Sequence, residues 1–322
     1  MDRKKLSEIW IKNCIEEDFI LSDASVDASF RKYYRVKTSE KSLILMDAPP
    51  DKESISDFLD IGFEMVNHGI NAPKVFYKDQ KLGFILMEDF GDKTFLNEYS
   101  LKKLKNLYIK AIDNIINMQL SLKINNLDRY SKRKLYDEIS LFSEWYLGKY
   151  KRINLNGKEI ADMEIIFEKV ISDNATQNKY FVHRDYHSRN LMVLENNDLG
   201  ILDFQDAVSG PLTYDLVSLL KDAYIELEEE DVIDLAINFW EKAVEKKLLQ
   251  KGDFSDFFKQ FELMGVQRHL KVLGIFSRLS IRDHKNNYLK DIPLVEKYLL
   301  KASERYQFLS PLKKILLRSI DV

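Results

Sequence analysis

Two polar segments, separated by a short apolar stretch, most constrain what this chain can fold into. Residues 182–190 read VHRDYHSRN, and residues 202–206 read LDFQD. Two apolar runs with four polar residues between them connect these segments, which predicts a β-hairpin. The hairpin would bring Asn190, at the start of its first strand, close to Asp203, just past the end of its second strand.

The residue types in these segments are those that phosphoryl transfer from Mg-ATP requires. Asp185 can accept a proton from a hydroxyl, and it lies five positions before Asn190. Asn190 and Asp203 offer hard oxygen ligands, and magnesium usually takes only one or two carboxylates from a protein. We interpret Asp185 as the catalytic base and Asn190 and Asp203 as metal ligands. The alternative is an ordinary surface turn. His183 is expected to be a buried residue that braces the loop.

The composition is that of a globular protein of 322 residues, 45% of them hydrophobic, which is enough for two compact lobes. The formal charge of -3 gives no basic surface, so nucleic acid is not expected as a partner. The single cysteine, Cys14, cannot form an intramolecular disulfide and suits a reducing compartment. The N-terminal segment lacks a signal-peptide pattern, and no stretch is long enough to span a membrane. We therefore expect a cytoplasmic protein.

The order of predicted elements indicates an α+β, bilobal protein-kinase-like fold with a small mixed-sheet N-terminal lobe and a larger, mainly helical C-terminal lobe. The N-terminal patterns predict a first helix, a β-prone stretch within 27–37, a strand at 43–46, a helix at 54–67, and a hairpin with strands at 75–77 and 84–87. Later helices are predicted at 101–120, 135–150, 231–249, 254–279 and 294–317.

The apolar pattern breaks at 88–92, which is the predicted hinge. The predicted domains are therefore a nucleotide-binding lobe at 1–90 and a catalytic, substrate-binding lobe at 91–322. The acidic run 226–231 could suggest a metal or peptide site. We interpret it as favourable negative charge at the start of the next helix.

The chain resembles the aminoglycoside phosphotransferase family of small-molecule kinases, relatives of protein kinases with the same fold. Four segments narrow the resemblance to bacterial anomeric sugar kinases, which phosphorylate N-acetylmuramate and N-acetylglucosamine at C1 in cell-wall recycling. The segments are 27–36 (DASFRKYYRV), 45–50 (LMDAPP), 141–146 (LFSEWY) and 267–279 (QRHLKVLGIFSRL). The resemblance implies ATP and magnesium as cofactors and a small-molecule sugar as acceptor. It assigns the base to Asp185 and the metal ligands to Asn190 and Asp203. Asp215 matches a residue that braces the catalytic loop, although it could also cap a helix beginning at Leu216.

Two departures from the family pattern concern the nucleotide phosphates. The strand 43–46 lacks the lysine that most kinases use, and Met46 or Asp47 stands there instead. No glycine-rich loop is present, and Ala28 and Ser29 occupy its place.

Other groups must therefore hold the nucleotide. Arg35 and Lys52 are the candidates for the phosphates, although surface cations are commonly only solvated. The backbone of the hinge, including Glu88 and Phe90, is expected to contact adenine.

The acceptor pocket is expected to be lined by Glu138, Trp145, Arg268 and His269. Trp145 could stack on a sugar face or belong to the core. Arg268 could bind a carboxylate if the sugar carries a lactyl acid. Only twelve positions separate Asp203 from Asp215, too few for the regulatory segment of a protein kinase.

Two alternatives accompany this hypothesis. One is a kinase of another small alcohol, such as an aminoglycoside, choline or a different sugar. The other is a nucleotide-binding protein without turnover, which the missing lysine and glycines would suit.

Overall fold

The computed structural model describes residues 2–25, 30–98 and 104–320. The chain divides into two compact units. Unit 1 consists of Met1–Glu98 and Arg189–Asp206, and unit 2 consists of Tyr99–Ser188 and Ala207–Val322. The predicted division into 1–90 and 91–322 differs from this one mainly because Arg189–Asp206 belongs to unit 1.

The β-strands of the described residues are β1 (Ile20–Ser25), β2 (Lys32–Lys37), β3 (Ser42–Asp47), β4 (Val75–Asp79), β5 (Phe84–Glu88), β6 (Lys179–Val182), β7 (Leu191–Val193), β8 (Leu199–Ile201) and β9 (Val208–Pro211). The α-helices are α1 (Arg3–Cys14), α2 (Ser56–Asn67), α3 (Leu104–Ser121), α4 (Lys132–Ile139), α5 (Gly157–Thr176), α6 (Tyr214–Leu220), α7 (Glu229–Glu245), α8 (Phe254–Asp283), α9 (Ile292–Arg305) and α10 (Ser310–Ile320). A π-helix spans Phe142–Tyr150, and 3-10 helices span Asn286–Asp291 and Gln307–Leu309.

Unit 1 is built on a five-stranded antiparallel sheet with the order β1-β2-β3-β5-β4. Val36, Leu45 and Leu86 point from the sheet into a core that Ile11 of α1 completes. The strand predicted at 43–46 and the hairpin predicted at 75–87 are confirmed. The strand β1 was not predicted.

The β7–β8 hairpin belongs to unit 1 because its backbone bonds to neighbouring segments of that unit. Phe95 N–H donates to the Leu191 carbonyl at 2.8 Å, and Ile201 N–H donates to the Asn71 carbonyl at 2.7 Å. Beyond the hairpin, the ring of Phe204 stacks on Phe58 of α2 at 4.8 Å. These contacts attach the hairpin to other segments of unit 1.

Unit 2 is mainly helical and is organised around α8, whose 30 residues include a long buried stretch. α8 packs against the π-helix, α9, α6 and α5. The short strands β6 and β9 pair antiparallel, with Val182 opposite Val208. This pairing sets the start of the segment that carries His183 and Asp185.

Several helices differ from the sequence expectation. The helix predicted at 135–150 is α4 followed by the π-helix, and the one predicted at 294–317 is interrupted at Tyr306. The helix α5 was missed, although a capping box at its start joins Asn156 and Glu159. The acidic run at 226–231 leads into the first turn of α7, as predicted.

Two predictions fall partly on residues outside the description. Ala28 and Ser29, expected in place of a glycine-rich loop, are outside the described residues, as is the beginning of the helix predicted at 101–120. Within the described ranges, the helices are too short or too polar to cross a membrane.

Candidate active site

In unit 1, the β7–β8 hairpin brings Asn190 and Asp203 together, which confirms that part of the sequence prediction. Asn190 directly precedes β7, and Leu202 N–H donates to its carbonyl at 2.9 Å. The side-chain amide of Asn190 lies 3.3 Å from Asp203 Oδ2. Gln205, which the sequence prediction missed, donates from Nε2 to Asp203 Oδ1 at 2.6 Å. Both carboxylate oxygens of Asp203 are therefore in contact with amide groups.

This pair fits a divalent cation by the chemistry of its donors. Asp203 supplies a carboxylate. Asn190 supplies an amide oxygen when its side-chain amide is flipped by 180°, and such a flip exchanges two atoms that are assigned only from hydrogen bonding. Among the described residues, no group of three His, Cys, Asp or Glu side chains could hold a metal. A site with two protein oxygens suits a hard ion that takes its other ligands from water and phosphates.

Two residues at or next to these candidate positions have left-handed backbone. Arg184, directly before Asp185, has φ 77°, and Asp203 has φ 65°. Non-glycine residues adopt this conformation at a cost of roughly 1 kcal/mol or more, and such strain concentrates at functional sites. Neither residue ends a helix, in contrast to His284, which caps α8.

In unit 2, Asp215 holds the backbone that leads into Asp185. Its carboxylate accepts hydrogen bonds from His183 N–H at 2.7 Å and from Arg184 N–H at 3.0 Å. Asp215 lies in the first turn of α6, which begins at Tyr214 and not at Leu216. The Asp215 carboxylate is thus not the cap of this helix, and it bonds the backbone of the neighbouring loop instead. Burial raises its pKa to about 7, and the two backbone hydrogen bonds oppose that rise only in part.

His183 occupies the buried position that the sequence predicted. Its ring packs edge-on against Tyr186 at 5.7 Å, and its Nδ1 accepts a hydrogen bond from Asp185 N–H at 3.3 Å. His183 thus bonds Asp215 through its backbone and the backbone of Asp185 through its ring.

The Asp185 side chain remains 39% exposed within this turn. Partial burial tends to raise its pKa, but the charges of Lys271, Arg268, His187 and Arg184 outweigh burial and lower the pKa below its ordinary value. The carboxylate is therefore ionised at neutral pH and accessible to a hydroxyl.

Glu138, predicted to contact substrate, lies in a buried charge cluster with three partners. Arg184 Nη2 donates to its Oε1 at 2.6 Å, Lys271 Nζ lies 3.4 Å from its Oε2, and the Tyr130 hydroxyl also donates to Oε2. Burial tends to raise the Glu138 pKa, while Lys271 and Arg184 lower it, with a net fall. The cluster holds the side chain of Arg184, the residue directly before Asp185.

Arg268 and His269 face different surroundings, although they are adjacent on α8. Arg268 Nη1 donates to the Arg184 carbonyl at 2.9 Å and lies 3.9 Å from Asp185 Oδ1. His269 is 3% exposed, stacks on Tyr298 at 4.9 Å and bonds the Lys221 carbonyl through Nε2 at 3.0 Å. His269 therefore occupies the core of unit 2, which disagrees with a substrate contact.

Trp145 lies on the π-helix and is only half-buried. The ammonium of Lys149 lies 3.4 Å from the centroid of its ring, in the geometry of a cation–π contact. A π-helix is rare and is found often at functional sites.

In unit 1, the two cations considered for the nucleotide phosphates differ in their contacts. Arg35 on β2 is engaged by two carboxylates: its Nε lies 2.7 Å from Asp89 Oδ2 and its Nη1 lies 2.7 Å from Asp92 Oδ1. Lys52 is half exposed, 3.7 Å from Asp51. Arg35 thus holds the residues of the predicted hinge.

The segment of the predicted hinge is well anchored in unit 1. Glu88 ends β5, and its N–H donates to the Lys74 carbonyl at 2.9 Å. Phe90 packs over Gly200 of β8 so closely that a Cβ at that glycine would lie 2.5 Å from its ring. Asp89, within the predicted hinge, accepts hydrogen bonds from Ser42 and Gly91 N–H as well as from Arg35.

Two relatives are similar to this chain over nearly its full length. An N-acetylmuramate/N-acetylglucosamine kinase of Neisseria meningitidis serogroup B is 40% identical to this chain over 328 residues, covering 99% of this chain and 97% of that protein. A protein of the same name from Pseudomonas aeruginosa is 36% identical and covers 95% of this chain and 94% of its own length.

Solved structures show the fold. A choline kinase from Streptococcus pneumoniae has a TM-score of 0.66 at 12% identity, covering 92% of this chain and 99% of that structure. An ADP-bound aminoglycoside phosphotransferase has a TM-score of 0.61 at 17% identity, covering 92% of this chain and 97% of that structure. The predicted α+β, protein-kinase-like fold is thereby confirmed.

The family model described as the phosphotransferase enzyme family matches residues 21–243. This match and the relatives confirm the resemblance found in the sequence. The chain belongs to the phosphotransferase enzyme family and is an enzyme that transfers a phosphoryl group to a hydroxyl, using ATP with a divalent metal.

Proposed function

We propose that this enzyme phosphorylates the C1 hydroxyl of an N-acetylated amino sugar, such as N-acetylmuramate or N-acetylglucosamine, with Mg-ATP as the donor. The observation that carries the proposal is the relative of that name, 40% identical over 99% of the chain. The exposed, ionised carboxylate of Asp185 supplies the group that such a reaction needs. ATP as the donor also suits a cytoplasmic enzyme.

In the proposed reaction, Asp185 accepts the proton of the sugar hydroxyl. The hydroxyl oxygen bonds to the γ-phosphorus while the bond from that phosphorus to the β,γ-bridging oxygen breaks, and ADP leaves. A carboxylate of low pKa is a weak base, which suits a loose transition state in which the proton moves late. Asp185 would mainly orient the hydroxyl.

Asn190 and Asp203 are proposed to hold magnesium through their side-chain oxygens. The bound ion would neutralise the phosphate charge. Gln205, hydrogen-bonded to Asp203, would orient that carboxylate.

For the nucleotide, we propose that the hinge backbone from Glu88 to Phe90 contacts adenine. Lys52 is the stronger candidate for the phosphates because Arg35 is already paired with Asp89 and Asp92. Arg35 would act by fixing the hinge.

The charges around Asp185 argue against a cationic acceptor. Arg184, Arg268 and Lys271 all contribute positive charge at this carboxylate. Choline or an aminoglycoside would bring a further positive charge to the same surroundings, at an electrostatic cost. A neutral or anionic sugar avoids that cost. The presence of Asp185, Asn190 and Asp203 together also argues against a protein without turnover.

The proposal is tested by measuring ADP release from Mg-ATP with a panel of acceptors. The panel contains N-acetylmuramate, N-acetylglucosamine, glucosamine, choline and an aminoglycoside. We expect release to depend on the two N-acetylated sugars. Release that depends on choline or the aminoglycoside, or on no acceptor, contradicts the proposed acceptor.

A further inference from the structure

We propose that Lys271, with Arg268 one turn before it on α8, is a positioning residue that holds the Asp185 carboxylate ready for the acceptor hydroxyl. The inference rests on the proposed function, in which Asp185 is the base. Neither the motifs nor the family resemblance assigns a role to Lys271.

Lys271 is buried beside the catalytic loop. It is 4% exposed, its Nζ donates to the Tyr214 hydroxyl at 3.1 Å, and the same atom lies 3.4 Å from Glu138 Oε2. Arg268 is 5% exposed and also donates to the Tyr214 hydroxyl, at 3.4 Å. Residues three apart share a helix face, so α8 presents both cations to the same surroundings.

The two cations reach the loop by different routes. Arg268 contacts it directly, through the Arg184 carbonyl and Asp185 Oδ1. Lys271 reaches it through Glu138, which pairs with Arg184, and through its own charge, which acts on Asp185. The buried Tyr214 hydroxyl connects the two side chains.

The alternative is that Lys271 serves only as the ion-pair partner of Glu138 in the core, and this role explains less of the arrangement than a role in positioning Asp185. Arg184 already pairs with Glu138 at the shorter distance of 2.6 Å, so a second buried cation leaves surplus positive charge. Burying surplus charge is unfavourable unless another anion offsets it. Asp185 is such an anion, and it contributes to keeping Lys271 charged.

The groups that face Asp185 come from three elements. Lys271 and Arg268 lie on α8, Arg184 and His187 belong to the loop itself, and Asp215 lies on α6. Asp215 opposes the cations only when its carboxyl is ionised, since its pKa is raised to about 7. Lys271 contributes the largest of the attractive charge effects on Asp185.

The test compares Lys271→Gln with Lys271→Arg and with the control Lys221→Gln. Glutamine removes the charge but retains a donor for Tyr214, whereas arginine restores the charge. Lys221 is a matched control because its Nζ lies 3.4 Å from the buried Glu262, the same distance as in the Lys271–Glu138 pair. kcat, both KM values and the melting temperature are measured for each protein.

We expect Lys271→Gln to lower kcat about 10- to 100-fold while KM for ATP and sugar change by less than about threefold, since misplacement of a reacting group costs rate. Lys271→Arg regains most of the rate. Lys221→Gln should lower the melting temperature as much as Lys271→Gln does, but keep kcat within about threefold of wild type. Equal losses of kcat in the two glutamine variants overturn the inference.

A second measurement needs no turnover. The Asp185 carboxyl is titrated by NMR in protein with ¹³C-labelled aspartate, its signal being assigned by its loss in Asp185→Asn. We expect the pKa of Asp185 to be higher in Lys271→Gln than in wild type and in Lys221→Gln. An unchanged titration overturns the inference. An enzyme inactive on every sugar would instead refute the proposed function, and the titration would still report whether the charge of Lys271 acts on Asp185.

Discussion

The side-chain amide of Asn190 lies 3.3 Å from Asp203 Oδ2, although the two residues are thirteen positions apart in the chain. The register of the β7–β8 hairpin, with Leu191 opposite Ile201, sets this distance. The hydrogen bond from Leu202 N–H to the Asn190 carbonyl extends the pairing by one step. The proposed metal ligands are thus placed by strand pairing.

Removing the charged ligand should abolish turnover. Asp203→Asn keeps the shape of the side chain but removes its negative charge, and we expect kcat to fall by about 1,000-fold or more because metal stabilisation of transition-state charge is worth several kcal/mol. Asp198→Asn in the turn of the same hairpin is the control and should remain active. Steady-state assays over a range of magnesium concentrations measure both. Wild-type turnover in Asp203→Asn would refute the assigned ligand.

Replacing the proposed base should affect rate and spare nucleotide binding. We expect Asp185→Asn to lower kcat by about 100- to 10,000-fold, the usual contribution of a general base. Mg-ATP affinity, measured by calorimetry, should stay within about threefold of wild type. A variant that retains its kcat, or that loses nucleotide affinity to the same degree as kcat, contradicts the assignment.

Asp215 should make the free energy of unfolding depend on pH. Its pKa, about 7 in the fold against an ordinary 3.8, is raised, so its contribution to stability is greatest at acidic pH and is lost as pH rises through 7. The buried His269, whose pKa is lowered to about 3, has the opposite effect between pH 3 and its ordinary 6.5. The stability difference between wild type and Asp215→Asn isolates the first effect.

We expect wild type to exceed Asp215→Asn most at pH 5, and the gap to narrow by about 1 kcal/mol per pH unit toward pH 7. Urea unfolding at several pH values gives this difference. A gap that is constant from pH 5 to pH 8 would show that Asp215 does not titrate in this range.

The contact of α8 with the start of the π-helix depends on a glycine. A Cβ at Gly274 would lie 2.5 Å from the backbone carbonyl carbon of Leu141, so Gly274→Ala should destabilise the protein by about 1–3 kcal/mol through overpacking. Gly265→Ala on the same helix is the control, because its nearest neighbours would be 3.8 Å away. Alanine there should be neutral or stabilising. Equal melting temperatures for the two variants would contradict this packing.

The sequence predicted the hairpin and the proximity of its ends because both depend on local features. Apolar runs, a polar turn and two polar ends within 25 residues are enough to place Asn190 beside Asp203. Strands β2 to β5 of the main sheet were recognisable for the same reason, whereas β1 was not predicted. Left-handed backbone at Arg184 and Asp203 leaves no comparable signal, because neither is a glycine.

Long-range contacts could not be predicted in this way. Lys271 and Glu138 are 133 positions apart in the chain, and only the packing of α4 against α8 brings them together. α8 is buried on most of its faces, so periodicity does not separate Arg268, which contacts the loop carrying Asp185, from its neighbour His269, in the core. The helix α5 is a different case, because its capping box and apolar stripe were present in the sequence.

The most direct test of the account is phosphorus NMR of the product formed from Mg-ATP and N-acetylglucosamine or N-acetylmuramate. A phosphate on C1 is split by the single anomeric proton, and a phosphate on the C6 hydroxyl is split by two protons. We predict a doublet, coupled to the anomeric proton, that forms together with ADP and forms at least about 100-fold more slowly with Asp185→Asn. A triplet, a doublet coupled to another ring proton, or ADP without a sugar phosphate would contradict the account.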